Sequence, residues 1–334
     1  NRAVENFNLK NQNKELETKL FHSFDLIGKS PNILKIKEQI EKLSNSDSRV
    51  FIFGPTGSGK ELISRKIHKM SRRSKSPFVI LNGALLDIKK YELELFGEEK
   101  ANGAISYGSL EKASGGTLLI DEISEIPLET QSKILRVLID QKFKRINGNH
   151  DVKVNVRIIC TTSKNILNEI KFGNFHEDLF YRLNVFQINI DPLNKRIEDI
   201  PLLIDYFSKK ISESYNIKKL DIKSDNAYLI NHYWPGNVRE LRNLIERVAI
   251  LANNNPEKIS MIIKESIKQE TGEILQDDNF SIPLKEAREN FEKDYLTTQL
   301  KKFGGNVSKT AKFIGMERSA LHRKLKDLGV KDLN

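Results

Sequence analysis

Gly54-Pro55-Thr56-Gly57-Ser58-Gly59-Lys60-Glu61 is the stretch whose reading decides the fold. It directly follows an apolar run, Arg49-Val50-Phe51-Ile52-Phe53, and directly precedes a helical pattern from Glu61 to Met70. Glycines at 54, 57 and 59 let the backbone curl so that its N–H groups converge, and a helix starting beside them adds the positive end of its dipole. The pattern is a G-x-x-x-x-G-K phosphate loop set between a strand and a helix, with Lys60 placed to neutralise the β- and γ-phosphates. Gly54, Pro55, Thr56, Gly57, Ser58, Gly59, Lys60 and Glu61 are therefore assigned to a nucleoside triphosphate. Glu61 stands where a hydroxyl more often meets Mg²⁺.

Working outward, the second half of such a site is an apolar strand that ends in acids. Thr117-Leu118-Leu119-Ile120-Asp121-Glu122 supplies it. Asp121 is the expected Mg²⁺ ligand, acting through water, and Glu122 the group that orients and polarises the attacking water. Between about 33 and 190, strand-like runs (49–53, 78–81, 117–120, 155–160, 185–190) alternate with helical patterns near 60–71, 91–97 and 130–141. That alternation predicts an α/β fold with a parallel sheet covered by helices on both faces. From 197 to 252 the pattern is helical only, broken at Trp234-Pro235-Gly236, and predicts an α-helical lid. The expected division is a linker helix over 1–24, a nucleotide-binding α/β part over 25–195, the lid over 196–253, a linker with one short helix over 254–283, and a last helical domain over 284–334. Asn1 in place of Met points to a longer polypeptide upstream.

The chain has 334 residues, a net charge of +10 and a single cysteine, Cys160. One cysteine excludes a disulfide framework, and no Cys/His spacing fits zinc. No apolar run reaches membrane-spanning length, so no membrane partner and a cytoplasmic location are expected. The positive charge is concentrated: residues 300–331 carry net +7. Residues 284–302 read as one amphipathic helix, with Ala287, Phe291, Tyr295, Leu296 and Leu300 on one face, for dimerisation or core packing. Gly304-Gly305-Asn306 breaks it, Val307–Ile314 is a short helix, Gly315-Met316 a turn, and Glu317–Leu328 a second helix. Helix, tight turn with Gly, helix is the helix-turn-helix layout. Arg318, Ser319, His322, Arg323 and Lys326 face the major groove in this reading, while Lys309, Lys312 and Lys324 suit phosphates.

Five ordered motifs together resemble the AAA+ domain of NtrC-type transcription regulators. They are Gly54…Lys60-Glu61, Glu94-Leu95-Phe96-Gly97, Gly115-Gly116-Thr117…Asp121-Glu122, Asp178-Leu179-Phe180-Tyr181-Arg182-Leu183 and Trp234-Pro235-Gly236-Asn237-Val238-Arg239-Glu240-Leu241. The resemblance covers about 25–253, and the C-terminal segment resembles the Fis-type DNA-binding domain of the same proteins. It implies an AAA+ P-loop NTPase with a helical lid, followed by an all-α helix-turn-helix domain. Asn82 would hold Glu122 in a resting position. Arg182 would be an arginine finger that reaches the ATP of a neighbouring subunit, and Arg239 the lid arginine that reads the nucleotide of its own chain. The implied partners are double-stranded DNA, a second copy through the C-terminal domain, and a hexameric or heptameric ring through the AAA+ core. An upstream receiver domain and a sensor kinase are implied as well.

The departures narrow this reading. His176 stands where the family has the first of two finger arginines, and Pro192-Leu193-Asn194 lacks the Arg that usually follows the Leu. Between Gly97 and Gly115 the family carries G-A-F-T-G-A, which contacts the sigma-54 factor of RNA polymerase. Here the segment is Ala101-Asn102-Gly103-Ala104-Ile105-Ser106-Tyr107-Gly108, and the aromatic-Thr-Gly core is gone. The same erosion, and Met316–Leu325, resemble the NtrX branch of the family. The expected function is an ATP- and DNA-binding response regulator with a degenerate sigma-54 loop. A working sigma-54 activator, a remodelling ATPase with an incidental basic tail, and a DNA-binding protein with a residual nucleotide pocket stay open as alternatives.

Overall fold

Val50–Phe53 (β1) is an unbroken apolar tetrapeptide, which is what a strand covered on both faces requires. Phe51 packs into a core on one side of the sheet with Leu118, Ile120, Ile158 and Cys160. Val50 and Ile52 point the other way, to Ile63, Ile67, Leu119, Ile159 and Ile188. This period of two places one sheet between two helical layers. The computed structural model describes residues 25–84, 90–215, 217, 218, 220, 222, 227–252, 255–270 and 284–328. The linker helix expected over 1–24 lies outside them.

After α1 (Pro31–Leu43) and β1 come α2 (Lys60–Met70), β2 (Phe78–Asn82), α3 (Tyr91–Phe96), β3 (Gly97–Glu99), β4 (Ile105–Tyr107) and α4 (Ser109–Lys112). Then follow β5 (Thr117–Asp121), α5 (Leu128–Asp140), β6 (Lys142–Lys144), β7 (Asp151–Lys153), β8 (Arg157–Thr162), α6 (Ile166–Lys171), α7 (Glu177–Leu183) and β9 (Phe186–Asn189). The main sheet has the order β2-β5-β8-β1-β9. Each of its strand pairs is parallel, with Val50 beside both Ile159 and Phe186, and Asn82 beside Asp121. Parallel neighbours require crossovers, and the helices supply them. The chain thus leaves β1, β5 and β8 at one end of the sheet, where the phosphate loop, Glu122 and Ser163 meet.

The strand expected over 155–160 sits two residues later. Thr161 and Thr162 are fully buried, β-branched, and register with Ile52 and Phe53, so the ladder runs on to them. Two hairpins were not expected: β3 pairs antiparallel with β4, and β6 with β7. Arg145, between β6 and β7, ties them together through Glu99 at 2.8 Å and a two-pronged grip on Glu111 at 2.8 and 2.7 Å.

The lid contains α8 (Ile200–Tyr215), α9 (Ala227–Asn231) and α10 (Asn237–Ala252). Leu203, Ile204 and Ile211 of α8 and Leu241, Leu244, Ile245 and Val248 of α10 are buried at helical spacing. The linker expected from 254 instead begins with a fifteen-residue helix, α11 (Pro256–Glu270), which buries Ile259 and Ile263. Pro at its first position and Asn255 accepting from Glu257 N–H at 3.0 Å start it well. Residues 271–283 of that expected linker lie outside the described residues.

Contacts divide the chain into two units, after Lys264. The C-terminal unit carries α12 (Leu284–Lys302), α13 (Val307–Ile314) and α14 (Arg318–Asp327). Leu296, Leu300, Ala311, Leu321 and Leu325 form its core. Asn306 caps α13 by accepting from Lys309 N–H at 3.0 Å, and Gly315 at φ 72° ends it in the left-handed conformation that glycine permits. The single apolar face expected on α12 divides in two. Leu300 follows Phe291 by nine positions, about half a turn away at 100° per residue. Leu296 and Leu300 enter the core, whereas Phe291 and Tyr295 are exposed and stack on each other at 6.1 Å.

Candidate functional site

The phosphate loop closes on itself before α2 begins. Ser58 N–H donates to Pro55 O at 3.3 Å, and Gly57 and Gly59 have φ of 75° and 106°. A Cβ on Gly59 would meet nothing within 4 Å, so its glycine answers a backbone demand rather than a steric one. No side chain caps the first turn of α2. Its N–H groups and dipole are thus available to an anion at that end. Ser58 Oγ is buried and has no hydrogen-bond partner.

Lys60 is only 6% exposed. Its Nζ donates to Gly54 O at 2.9 Å and Pro55 O at 3.4 Å, and lies 2.9 Å from Glu122 Oε1. Glu122 follows β5 with φ 52°, a left-handed backbone that is unusual for a glutamate and is the sort of strain found at functional positions. Its other oxygen, Oε2, accepts from Ser163 N–H at 2.7 Å and Ser163 Oγ at 2.9 Å. Burial pushes its carboxyl up, but Lys60 and Ser163 outweigh that and hold it below the usual range. Asp121 shows the reverse. Burial raises it and the neighbouring Glu122 charge opposes its ionisation further, which outweighs the lowering by Thr161 Oγ1, a donor to its Oδ1 at 2.5 Å.

Asn82 departs from its expected role. Its Nδ2 donates to Asp121 Oδ2 at 3.5 Å, and its Oδ1 accepts from Ala84 N–H at 2.9 Å. Both oxygens of Glu122 are taken by Lys60 and Ser163 instead, because the left-handed turn at Glu122 aims its carboxylate across the loop. Glu61, beside Lys60, is exposed and pairs with Arg65 at 2.7 Å.

The lid rests on the loop by direct contact. Arg239 N–H donates to Gly57 O at 3.3 Å, and Asn237 Nδ2 donates to Thr56 O at 2.9 Å. A Cβ on Gly57 would fall 2.1 Å from Gly236 O. The Arg239 side chain is exposed. Arg196, 2% exposed, reaches Ser58 O at 3.5 Å and lies 4.0 Å from Asp199. Sequence reasoning assigned no role to Thr161, Ser163, Arg196 and Asn237; Asn237 had a signal inside the motif that begins at Trp234, and Ser163 one at the end of Thr161-Thr162-Ser163, where relatives more often have Asn or His.

Arg182 is exposed near the end of α7 and lines a cavity with Arg49 and Arg157. These residues stand where β9, β1 and β8 begin, at the opposite end of the sheet from the loop. His176 caps α7 through its backbone, and its Nε2 is 3.0 Å from Ser132 Oγ. The eroded segment is the β3–β4 hairpin, whose tip is closed by Lys100 N–H to Ala104 O at 2.9 Å.

In the C-terminal unit, Arg318, Ser319, His322, Arg323 and Lys326 are exposed together on α14, and Lys309 and Lys312 are exposed on α13. Lys324 differs from its expected phosphate-facing role. It is half-buried, and its Nζ pairs with Glu292 of α12 at 3.0 Å. Its position, three residues after Leu321 and one before Leu325, turns it toward α12. Among the described residues no cluster of three or more His, Cys, Asp or Glu side chains fits a metal ion. A protein-only cage is not how Mg²⁺ is usually held beside phosphates; one or two carboxylates suffice.

Comparison with known proteins agrees with this architecture. Residues 26–189 match the Sigma-54 interaction domain, 194–277 the AAA+ ATPase lid domain, and 287–328 the Fis family of bacterial regulatory proteins. The nitrogen assimilation regulatory protein NtrX of Azorhizobium caulinodans is 43% identical over 98% of this chain and 74% of its own length. The DNA-binding transcriptional regulator NtrC of Escherichia coli is 37% identical over 92% of this chain and 70% of its own. A crystal structure of NtrX from Brucella abortus in complex with ATP superposes with a TM-score of 0.72 at 44% identity, covering 98% of this chain and 74% of that one. No described helix is long and apolar enough to cross a membrane. With its phosphate loop, helical lid and helix-turn-helix in this order, the chain belongs to the NtrC family of AAA+ ATPase transcription regulators, in the NtrX-like branch.

Proposed function

We propose that this chain binds ATP at the loop 54–61, hydrolyses it in an oligomer, and uses the nucleotide state to control its assembly on double-stranded DNA. The observation that carries the reading is the convergence of Lys60, Asp121 and Glu122 at the ends of β1 and β5, under a lid that touches the loop. N–H groups of 57–60 and the Lys60 ammonium receive the phosphates. The buried carboxylate of Asp121, with oxygen donors around it, fits a Mg²⁺ held through water. Bound there, Mg²⁺ would neutralise charge between the β- and γ-phosphates. Arg239 reads the nucleotide from the lid of the same chain.

Glu122 orients a water toward the γ-phosphorus and takes its proton. The new P–O bond forms as the bond to the β–γ bridging oxygen breaks, and ADP leaves with that electron pair. Arg182 serves the site of a neighbouring copy in a hexameric or heptameric ring. Its place at the far end of the sheet from its own Lys60 supports this reading. The C-terminal unit pairs with a second copy and reads DNA through Arg318, Ser319, His322, Arg323 and Lys326, with Lys309 and Lys312 on phosphates. A receiver domain and sensor kinase upstream, and a cytoplasmic setting, complete the proposal. The divisions proposed are 25–195, a lid from 196, and a DNA-binding domain over 284–334.

The test is steady-state ATPase of the chain against its own concentration. Turnover per chain is expected to rise with concentration. Glu122→Gln is expected to keep nucleotide binding while losing turnover on the order of 100-fold or more. Lys60→Ala is expected to abolish ATP-dependent oligomerisation on DNA; unchanged assembly would sink the coupling.

A second reading has one observation in its favour. The β3–β4 hairpin is formed and its tip is exposed, even though the aromatic-Thr-Gly core is missing. ATP-dependent promoter melting by sigma-54 polymerase in the presence of this chain would establish that reading over loss of the contact.

A further inference from the structure

At the end of the sheet away from the phosphate loop lies a cavity of about 520 Å³ whose charged lining is Asp47, Arg49, Arg73, Arg157 and Arg182. Four guanidinium groups thus share a space with one carboxylate. That carboxylate is taken: Arg73 Nε and Nη2 donate to the two Asp47 oxygens at 3.1 and 3.0 Å. Arg157 is 1% exposed and serves the fold, donating to Ser48 O at 3.2 Å and Leu43 O at 3.4 Å. Its Nη1 is buried without a partner. Arg49 and Arg182 remain. Among the described residues neither makes a side-chain hydrogen bond or an ion pair.

Two cations held side by side without a counter-acid are unfavourable within one chain, the more so because Arg49 is half-buried. Burial first, and the Arg182 charge second, depress the Arg49 guanidinium, so the two are electrostatically close. Such a pair becomes favourable when an anion from elsewhere completes it, and guanidinium forks match phosphate oxygens well. His176, which follows Phe175 at the entry to α7, is not among the residues that line this cavity. Its Nε2 is turned instead to Ser132 Oγ at 3.0 Å and Leu128 O at 3.2 Å.

We propose that Arg49 acts beside Arg182 as a second arginine on the phosphates of the nucleotide held by a neighbouring copy of this chain. Arg49 and Gly54 flank opposite ends of β1, a four-residue strand about 13 Å long. A chain therefore cannot bring its own Arg49 to its own Lys60, and the phosphate must come from outside. The inference rests on the reading of Arg182 as a residue that acts between copies.

The experiment is ATP turnover of the chain at assembling concentration, with affinity for a fluorescent ATP analogue measured in parallel. Arg49→Ala is expected to lower turnover on the order of 10- to 100-fold while leaving analogue affinity unchanged, and Arg49→Lys to recover part of it. An equal mixture of Arg49→Ala with Glu122→Gln, which keeps nucleotide binding and so can assemble, is the decisive arm. Each alone is slow, and the mixture regains turnover because the second copy lends its intact arginines to the intact loop of the first. Full turnover in Arg49→Ala, or no gain on mixing, overturns the proposal. If Lys60→Ala still binds ATP and Arg49→Ala added to it abolishes that binding, the cavity is a site for free nucleotide, which also overturns it. Arg182→Ala separates the two levels. If it is slow and rescued on mixing while Arg49→Ala is unaffected, only the Arg49 assignment falls. If Arg182→Ala keeps full turnover, action between copies fails as a whole.

Discussion

Lys60 Nζ sits 2.9 Å from Glu122 Oε1, so the cation proposed to meet phosphate and the carboxylate proposed to activate water are held together as an ion pair. One lysine cannot serve both partners at full strength. On the proposed reading, an arriving triphosphate would compete for the ammonium, and the carboxylate would be released toward water when the phosphates take it. In this arrangement the base is engaged until the substrate is present.

This pair sets a pH dependence. Glu122 is held below the usual carboxylate range, so its contribution to stability is present above its unfolded value of about 4.3 and is lost as pH falls through the lower folded value. Lys60→Met removes the partner and leaves burial, which pushes the other way. Urea midpoints measured between pH 6 and 3 should fall less steeply on the acid side in Lys60→Met than in the parent chain.

Gly57→Ala should separate the lid from the loop. The added methyl carbon would fall 2.1 Å from Gly236 O, and the backbone there has φ 75°. ATP affinity is expected to drop by tenfold or more while the far-ultraviolet circular dichroism is retained; unchanged affinity would show that the lid contact is dispensable.

Trp234 is 1% exposed, donates from Nε1 to Leu229 O at 2.9 Å, and meets the His232 ring edge-on. Truncation to Ala empties a large volume and leaves a carbonyl unpaired. The cost should be about 3–5 kcal/mol in a denaturant titration of the nucleotide-binding unit. Lys35, exposed on α1, offers a control whose truncation should be nearly neutral.

In the C-terminal unit, the two kinds of lysine should part company. Lys312→Ala on the exposed face of α13 is expected to reduce the slope of log affinity against log salt by about one, whatever the DNA sequence. Lys324→Ala, whose ammonium is paired with Glu292, should change that slope less. Arg323→Ala is expected to relax sequence discrimination by about 1–3 kcal/mol. Filter-binding or anisotropy titrations over a salt series distinguish the three.

What could be read without coordinates follows physical range. The five main strands announce themselves because they are apolar, buried on both faces and flanked by glycine or charged turns. The helix-turn-helix is legible because Asn306, Gly315 and the leucines at 321 and 325 are local signals. The β3–β4 and β6–β7 hairpins have strands of three residues, too short for any alternation to stand out. The Lys60–Glu122 pair spans residues 62 positions apart, and the left-handed turn that aims Glu122 has no residue signature. The bond from Thr161 to Asp121 was invisible for the same reason, since it depends on which strand lies beside β5. On α12, counting apolar residues without tracking their angle merged two faces into one.

The contact between the phosphate loop and the lid is made mostly of backbone: Gly57 O, Gly236 O, and the N–H of Arg239. Helix α10 begins at this point and runs sixteen residues, about 24 Å. It is therefore a lever with its fulcrum on the loop. A tilt of about 5° at Asn237, small enough to follow a peptide shifting around a phosphate, moves the far end of that helix by about 2 Å. A shift of the loop around one phosphate would thus be converted into displacement at a distance, and side-chain substitutions on the lid surface would alter what the lever pushes against while leaving its pivot untouched.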